Sequence, residues 1–185
     1  MTDLARLRRS LLQWFARSKR SLPWRKSRNP YAIFVSEVML QQTTVTTVIP
    51  YYERFLKRFP DVASLAESDE DDVLALWSGL GYYSRARNLR SAARQLVLSH
   101  GGRFPEDVKA AMTLKGVGRY TASAVTSIAY GTRAAAVDGN VRRVLARLQA
   151  VRNLRTQDAQ SRADLLLSAR APGTWNEAMM ELGAT

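Results

Sequence analysis

Leu114-Lys115-Gly116-Val117-Gly118 separates two stretches of helical character, a short one from Glu106 to Thr113 and a longer one from Tyr120 to Tyr130. Glycines at such a junction permit positive φ and let another backbone approach closely. The first amides of the Tyr120 helix have no intrahelical acceptor, and together with the helix dipole they suit an anion such as a phosphate. A lone Gly-x-Gly is also compatible with a plain turn between helices. The arrangement is that of a helix-hairpin-helix, a device for gripping a phosphate backbone without reading its sequence.

Outward from this hairpin nearly every segment carries a helical period. Leu4, Leu7, Leu11 and Phe15 form one apolar stripe behind Asp3, a candidate cap. A basic stretch from Arg17 to Arg28 is broken by Pro23, and Asn29-Pro30 then supplies a cap and a first helical turn. Tyr31 to Gln41 is apolar almost all round, which predicts a buried helix. A further helix carries Val45, Val48, Ile49, Tyr52 and Phe55 up to Pro60. Ser68 to Asp71 reads as a capping signature ahead of Val73, Leu74 and Trp77. Ser84 to Ser99 sets Ala86, Leu89, Ala93, Leu96 and Val97 on one side, ending at Gly101-Gly102. Asp138 leads a helix with Val141, Val144, Leu145 and Leu148, and helical stretches near Ala159–Ser168 and Thr174–Leu182 follow. No alternating strand or tandem repeat is evident. The expected fold is all-α, with roughly ten helices by this periodicity.

Composition narrows the function. The 185 residues hold 28 Lys and Arg against 16 Asp and Glu, a formal net charge of +12. That balance points to a polyanionic partner, nucleic acid above all. There is no cysteine and a single histidine, His100, so disulfides, thiolate metal sites and histidine metal sites are excluded within the chain. Apolar runs such as Tyr31 to Val35 fall short of the roughly 20 residues of a membrane span. Met1-Thr2-Asp3 opens no apolar leader. The expectation is a soluble monomer without membrane contact, not exported, working in the bacterial cytoplasm at the nucleoid or in a eukaryotic nucleus.

Two carboxylates stand in places that suggest chemistry. Glu37 lies within Ile33-Phe34-Val35-Ser36-Glu37-Val38-Met39-Leu40. Burying it as an ion is unfavourable, and desolvation would raise its pKa toward that of a general acid working near neutrality. Equally, it could occupy one wet stripe beside Gln41. Asp138, in Val137-Asp138-Gly139-Asn140, reads first as an N-cap. Capping does not exclude catalysis, because amide hydrogen bonds favour a carboxylate's anionic form. One protonated and one anionic carboxyl is the division of labour that glycosidic cleavage needs.

Several strings together resemble the MutY-type adenine DNA glycosylases of the endonuclease III-like superfamily. They are Leu22-Pro23-Trp24-Arg25, Ser36 to Thr43 (SEVMLQQT), Trp77 to Arg85 (WSGLGYYSR), Gly116 to Ala122 (GVGRYTA), Val137 to Val141 (VDGNV) and Asn176 to Thr185 (NEAMMELGAT), in family order. The resemblance implies a six-helix barrel with the hairpin over residues 28–132, and a second helical domain built from 1–27 plus 133–185. Glu37 and Asp138 would face each other across the cleft between them.

The implied reaction begins with flipping the target base out of duplex DNA that holds an adenine mispaired with 8-oxoguanine or guanine. Glu37 would protonate adenine N7 and later help deliver water, and Asp138 would stabilise the oxocarbenium-like sugar. Tyr120 and Asn140 match positions that support the two carboxylates. Where the lyase branch of the superfamily carries a Schiff-base Lys, this chain has Tyr120, so hydrolysis without strand cleavage is expected. Arg20, Trp24 and Glu177 match the adenine pocket, Trp24 as a wall and the charged pair as hydrogen-bond partners. To DNA contact the resemblance assigns Leu40, Gln42, Thr43, Tyr82, Ser84, Arg85, Lys115, Gly116, Val117, Gly118 and Arg119, with Tyr82 as a stacking wedge. For Gln41, Tyr83 and Trp77 packing is expected, and for His100 a helix-closing role.

Family members continue past Gly-Ala-Thr into four cysteines that bind a 4Fe–4S cluster, and then into a domain that recognises oxidised guanine. The linker from Asn153 to Gln160 also reads as short for the family. A truncated chain, able to bind no cofactor itself, is the expectation. A mismatch thymine glycosylase of the same superfamily also has Tyr in place of the lyase Lys. Gln41-Gln42-Thr43 and the Arg20/Glu177 pair argue against it. An inactive DNA-binding fragment is the other alternative.

Overall fold

The computed structural model describes residues 3–185, so Met1 and Thr2 lie outside it. Eleven α-helices and one 3-10 turn (Pro23–Arg25) are found, with no strand among the described residues. Helix α1 (Asp3–Ser18) takes Asp3 into its first turn, not ahead of it as a cap. Helix α2 (Pro30–Met39) begins as its sequence dictates. Pro30 needs no backbone donor at the first position, and the Asn29 side chain accepts from the amides of Tyr31 and Ala32. From Tyr31 to Met39 every residue of α2 is buried, so the all-round apolar pattern does mark a central helix.

Helix α3 (Val45–Arg58) runs through Pro50, an interior proline that removes one backbone bond, while Val48, Tyr52 and Phe55 bury their side chains. Helix α4 (Val62–Glu67) was not expected from periodicity. Its start is a reciprocal capping box between Asp61 and Ser64. The Ser68–Asp71 signature is not used that way, because Ser68 Oγ donates back to Leu65 O and Asp69 caps α5 (Glu70–Trp77) without a side-chain bond. Helices α6 (Ser84–His100), α7 (Val108–Ala111) and α8 (Arg119–Tyr130) follow, α6 and α8 each ending on a left-handed glycine, Gly101 and Gly131. Helices α9 (Gly139–Leu148), α10 (Thr156–Leu166) and α11 (Pro172–Ala184) complete the chain. Val97 and Leu148, read as core, are instead exposed. No helix among the described residues is long and apolar enough to cross a membrane.

Two apolar cores form. The larger draws on residues between Leu22 and Ile128, including Trp24, and is centred on α2 with Phe55, Trp77 and Leu96. The smaller joins Val141, Leu145, Ala163, Trp175 and Met179, with Leu7, Leu11 and Leu12 of α1 against it. Helix α11 lies between them, packed on α8, α9 and α1. Gly173 makes this contact possible, since any Cβ there would collide with the backbone of Ser127 and Ile128 on α8. Asn176 then fastens α11, its Nδ2 donating to Ser127 Oγ (2.8 Å) and Ala134 O (2.8 Å). Between the cores lies one cavity.

Candidate active site

Glu37 projects from buried α2 into that cavity, which measures about 640 Å³. Only 6% of the residue is accessible, and its Oε2 is buried with no hydrogen-bond partner. Burial pushes its pKa up to about 7. The Tyr120 hydroxyl opposes that rise, the negative charges of Asp138 and Glu177 add to it, and Arg25 opposes it again. The wet-stripe alternative for Glu37 is thereby closed.

Asp138 lines the cavity from the other core. It does cap α9: Oδ1 accepts from Val141 N (2.8 Å), and Oδ2 accepts from Asn140 Nδ2 (2.7 Å). Asn140 is held in turn. Arg143 Nη2 donates to Asn140 Oδ1 and to Gly183 O (2.8 Å), so the loop is anchored on α11. Any Cβ at Gly183 would strike the Asn140 carbonyl. Arg143 was missed in the sequence, although three residues after Asn140 on a helix is a contact distance. Tyr120 donates to Met180 Sδ (3.1 Å), and Met180 packs against both cores.

The cavity wall opposite contains a dense ion-pair network. Glu181, 1% exposed, accepts from Arg20 N (3.0 Å), Arg20 Nε (2.8 Å), Arg20 Nη2 (2.8 Å) and Arg25 Nη2 (2.9 Å). Burial alone would raise its pKa, but the donors from Arg20 and Arg25 hold it at about 2. Arg25 also reaches Glu177 at 3.3 Å. Burial raises the pKa of Glu177, against the fields of Arg25, Arg28 and Lys19. Arg20 and Glu177 thus both line the cavity, each held by another partner: Arg20 by Glu181, and Glu177 by Arg25. Trp24 lines the cavity and is braced edge-on by Tyr52 at 5.4 Å.

One cavity thus gathers Glu37, Tyr120, Asp138, Asn140, Arg20, Trp24, Glu177, Leu40, Gln42 and Thr43, together with Gln41. Tyr82 and Ser84 are exposed outside it, as are Lys115, Gly116, Gly118 and Arg119 on the hairpin, while Val117 is buried. Gly116 has φ 76° and sits where a Cβ would press on Asn88 of α6. Gly118 begins α8 with no side-chain cap. Two expectations fail. Arg85 is only 8% exposed and spends its guanidinium on backbone carbonyls, so it is not free to meet a phosphate. Tyr83, expected to pack, is 40% exposed. Among the described residues no cluster of His, Cys, Asp or Glu could hold a metal ion.

The sequence places the chain in a family of DNA repair proteins. Residues 35–167 match the HhH-GPD superfamily of base excision DNA repair proteins, and the chain belongs to it. It is 45% identical over 199 residues to an adenine DNA glycosylase of Rattus norvegicus, covering 100% of this chain and 39% of that protein. The corresponding Homo sapiens protein is 44% identical, with 36% of its length covered. An adenine DNA glycosylase of Buchnera aphidicola subsp. Baizongia pistaciae is 38% identical over 95% of this chain and 51% of its own. The chain therefore spans between about a third and a half of the length of these relatives. Among solved structures, a thermostable thymine-DNA glycosylase superposes with TM-score 0.89 at 28% identity, covering 98% of this chain and 86% of that one. A trapped endonuclease III–DNA covalent intermediate matches with TM-score 0.81 at 23% identity over 97% and 85%, a likeness of fold.

Proposed function

We propose that the chain is the catalytic region of a monofunctional adenine DNA glycosylase that flips adenine from a mispair with 8-oxoguanine or guanine and hydrolyses its N-glycosidic bond. The single observation that carries this reading is Glu37, a buried carboxyl with an unpartnered oxygen and a pKa near 7, sharing a cavity with Asp138. In this reading Glu37 gives its proton to adenine N7, and the departing base leaves as a neutral molecule. Asp138, fixed by Val141 N and Asn140, stabilises the positive charge that develops on the sugar. The ionised Glu37 then helps orient water. Trp24, Glu177 and Arg20 form the base pocket, Arg20 at an angle set by Glu181. Leu40, Gln42, Thr43 and Tyr82 enter the stack, and Lys115 to Arg119 with Ser84 meet the backbone.

The two cores support a division into lobes at about residues 28–132 and 1–27 plus 133–185, although Leu22 and Trp24 pack on the first core. The 4Fe–4S cluster of longer family members finds no thiolate here, since the chain has no cysteine, and no step above involves it. A DNA substrate accords with a site of action at the bacterial nucleoid or in a nucleus, and the proposal takes the protein to act there as a monomer.

A second reading, mismatch thymine glycosylase, is favoured by the thymine-DNA glycosylase likeness. It predicts protonation or hydrogen bonding of a pyrimidine in the same pocket. Single-turnover release from duplexes holding adenine opposite 8-oxoguanine and thymine opposite guanine separates the two. Adenine release is expected, without a borohydride-trapped amine adduct. Release of thymine alone refutes the proposal.

A further inference from the structure

Arg85 is the second residue of α6, and its guanidinium is buried without a carboxylate among its hydrogen-bond partners. Nη1 donates to the carbonyls of Val38 (3.1 Å), Met39 (2.9 Å) and Gln41. Nη2 donates to Thr43 Oγ1 (3.2 Å), Leu80 O (3.1 Å) and Gly81 O (3.2 Å). Nε is buried with no partner at all. The rings of Trp77 and Tyr82 lie 5.5 and 5.6 Å from the guanidinium carbon. A lone buried cation is unfavourable unless its surroundings supply negative potential. Here that potential comes from carbonyls, two of them in the last turn of α2 where the helix dipole is negative.

This costly placement accomplishes one thing: a single planar fork spans two loops. Nη1, helped by the Thr43 bond, holds the chain that leaves α2, and Nη2 holds the turn between α5 and α6. Each loop carries a non-glycine residue in the left-handed region, Gln42 at φ 57° and Tyr82 at φ 49°. Such conformations are strained and persist only when the surroundings impose them. Both side chains are exposed, Tyr82 at 62%.

We infer that Arg85 is a positioning residue that locks the Gln42 loop and the Tyr82 turn into one rigid two-pronged probe, so that both side chains enter an opened DNA step together. The inference rests on the functional reading of Gln42 and Tyr82 given above. Lysine keeps the charge but cannot span the two loops with a single ammonium, so Arg85→Lys is the main variant. Thr43→Val removes one bond and leaves the buried cation in place.

Hydrogen exchange of the free 185-residue chain tests the lock. In Arg85→Lys the amides of 40–44 and 78–83 are expected to exchange faster together, with those of α8 and α9 unchanged. A second measurement uses a duplex with 2-aminopurine in place of the target adenine. Its base-opening fluorescence is expected to fall roughly tenfold, since a misplacement of about 1 Å can cost more than that, while duplex affinity stays within about twofold because the phosphate contacts lie elsewhere. Thr43→Val should move both readouts the same way by less. Faster exchange in one loop only, or in neither, overturns the inference, and so does duplex affinity falling in step with base opening. If Arg85→Lys does not fold, unchanged exchange in Thr43→Val overturns it equally. Absence of base opening in the unsubstituted chain is the failure of the glycosylase reading, and the exchange experiment still decides the lock.

Discussion

Glu37 and Glu181 are the same residue in the same cavity, both almost inaccessible, yet burial takes them in opposite directions. Glu37 comes from α2 with an oxygen that nothing meets, and its pKa rises to about 7. Glu181 comes from α11 surrounded by four donors from two arginines, and its pKa falls to about 2. Desolvation acts on both, so it cannot be what separates them. The number of charged donors is. A buried carboxyl without charged donors is a proton store, and one with three, and a backbone amide besides, is a clamp that fixes cations in place.

Glu37→Gln breaks the comparison most severely. Removal of a general acid is expected to slow single-turnover base release by about 10²–10⁴-fold. Stability should respond in the other direction. With a folded pKa of about 7 against an ordinary 4.5, folding is unpenalised below pH 4.5 and loses stability as pH rises to 7. At about 1.4 kcal/mol per unit, the full loss is roughly 3 kcal/mol. Chemical denaturation from pH 4.5 to 8 should show this decline in the parent and not in Glu37→Gln, which is then the more stable above pH 7. A variant as slow as expected but less stable at pH 8 would mean that the carboxyl is not a buried proton store.

Glu181→Gln should do the converse. It leaves the half-buried guanidinium of Arg25 with Glu177 as its remaining carboxylate partner, and Arg20 without the carboxylate it bonds. Breaking a buried pair typically costs about 3–5 kcal/mol, and with Arg20 42% exposed the expected loss is nearer 2–3 kcal/mol at neutral pH. The parent's own acid sensitivity follows from the same residue. A pKa depressed to about 2 contributes stability above pH 4.5 that is lost as pH falls toward 2. Thermal melts of parent and variant should therefore converge on acidification. Melts that stay parallel down to pH 2 would show that the clamp contributes no charge-dependent stability.

The sequence made one half of this comparison legible and not the other. Asn29-Pro30 and an unbroken apolar run place Glu37 inside a central helix, because capping and burial are local rules that the chain states directly. Asp138 is legible as a cap for the same reason. Glu177 and Glu181 are four residues apart on one helix face, and periodicity cannot say which of them meets Arg20, some 160 positions away; that depends on how α11 is seated by Gly173 and Gly183. Arg85 fails in the same manner. A basic residue in a basic chain reads as a surface contact, and only the fold of two distant loops around it reveals carbonyl partners. Helix α4 escaped notice because its six residues are too short for a period, although Asp61 and Ser64 state its start.

Tyr120→Phe is the smallest expected effect and the finest probe of what sets Glu37 apart. The phenol stands beside Glu37 and holds its pKa below what burial alone would impose. Its one O–H lies within reach of Met180 Sδ as well, so the hydroxyl stands between two neighbours at the junction of the cores. Deleting it removes the opposing influence, and the pKa of Glu37 must rise further. The alkaline limb of base release, where activity falls as Glu37 loses its proton, should then move to higher pH, with the rate on the plateau reduced roughly fivefold for the loss of about 1 kcal/mol of hydrogen bonding. A limb that moves to lower pH would show that the phenol oxygen accepts from the protonated carboxyl of Glu37 and does not donate to its anionic form. Because phenylalanine keeps the ring and its packing, stability should change little, and the displacement of the limb can be assigned to the missing hydroxyl.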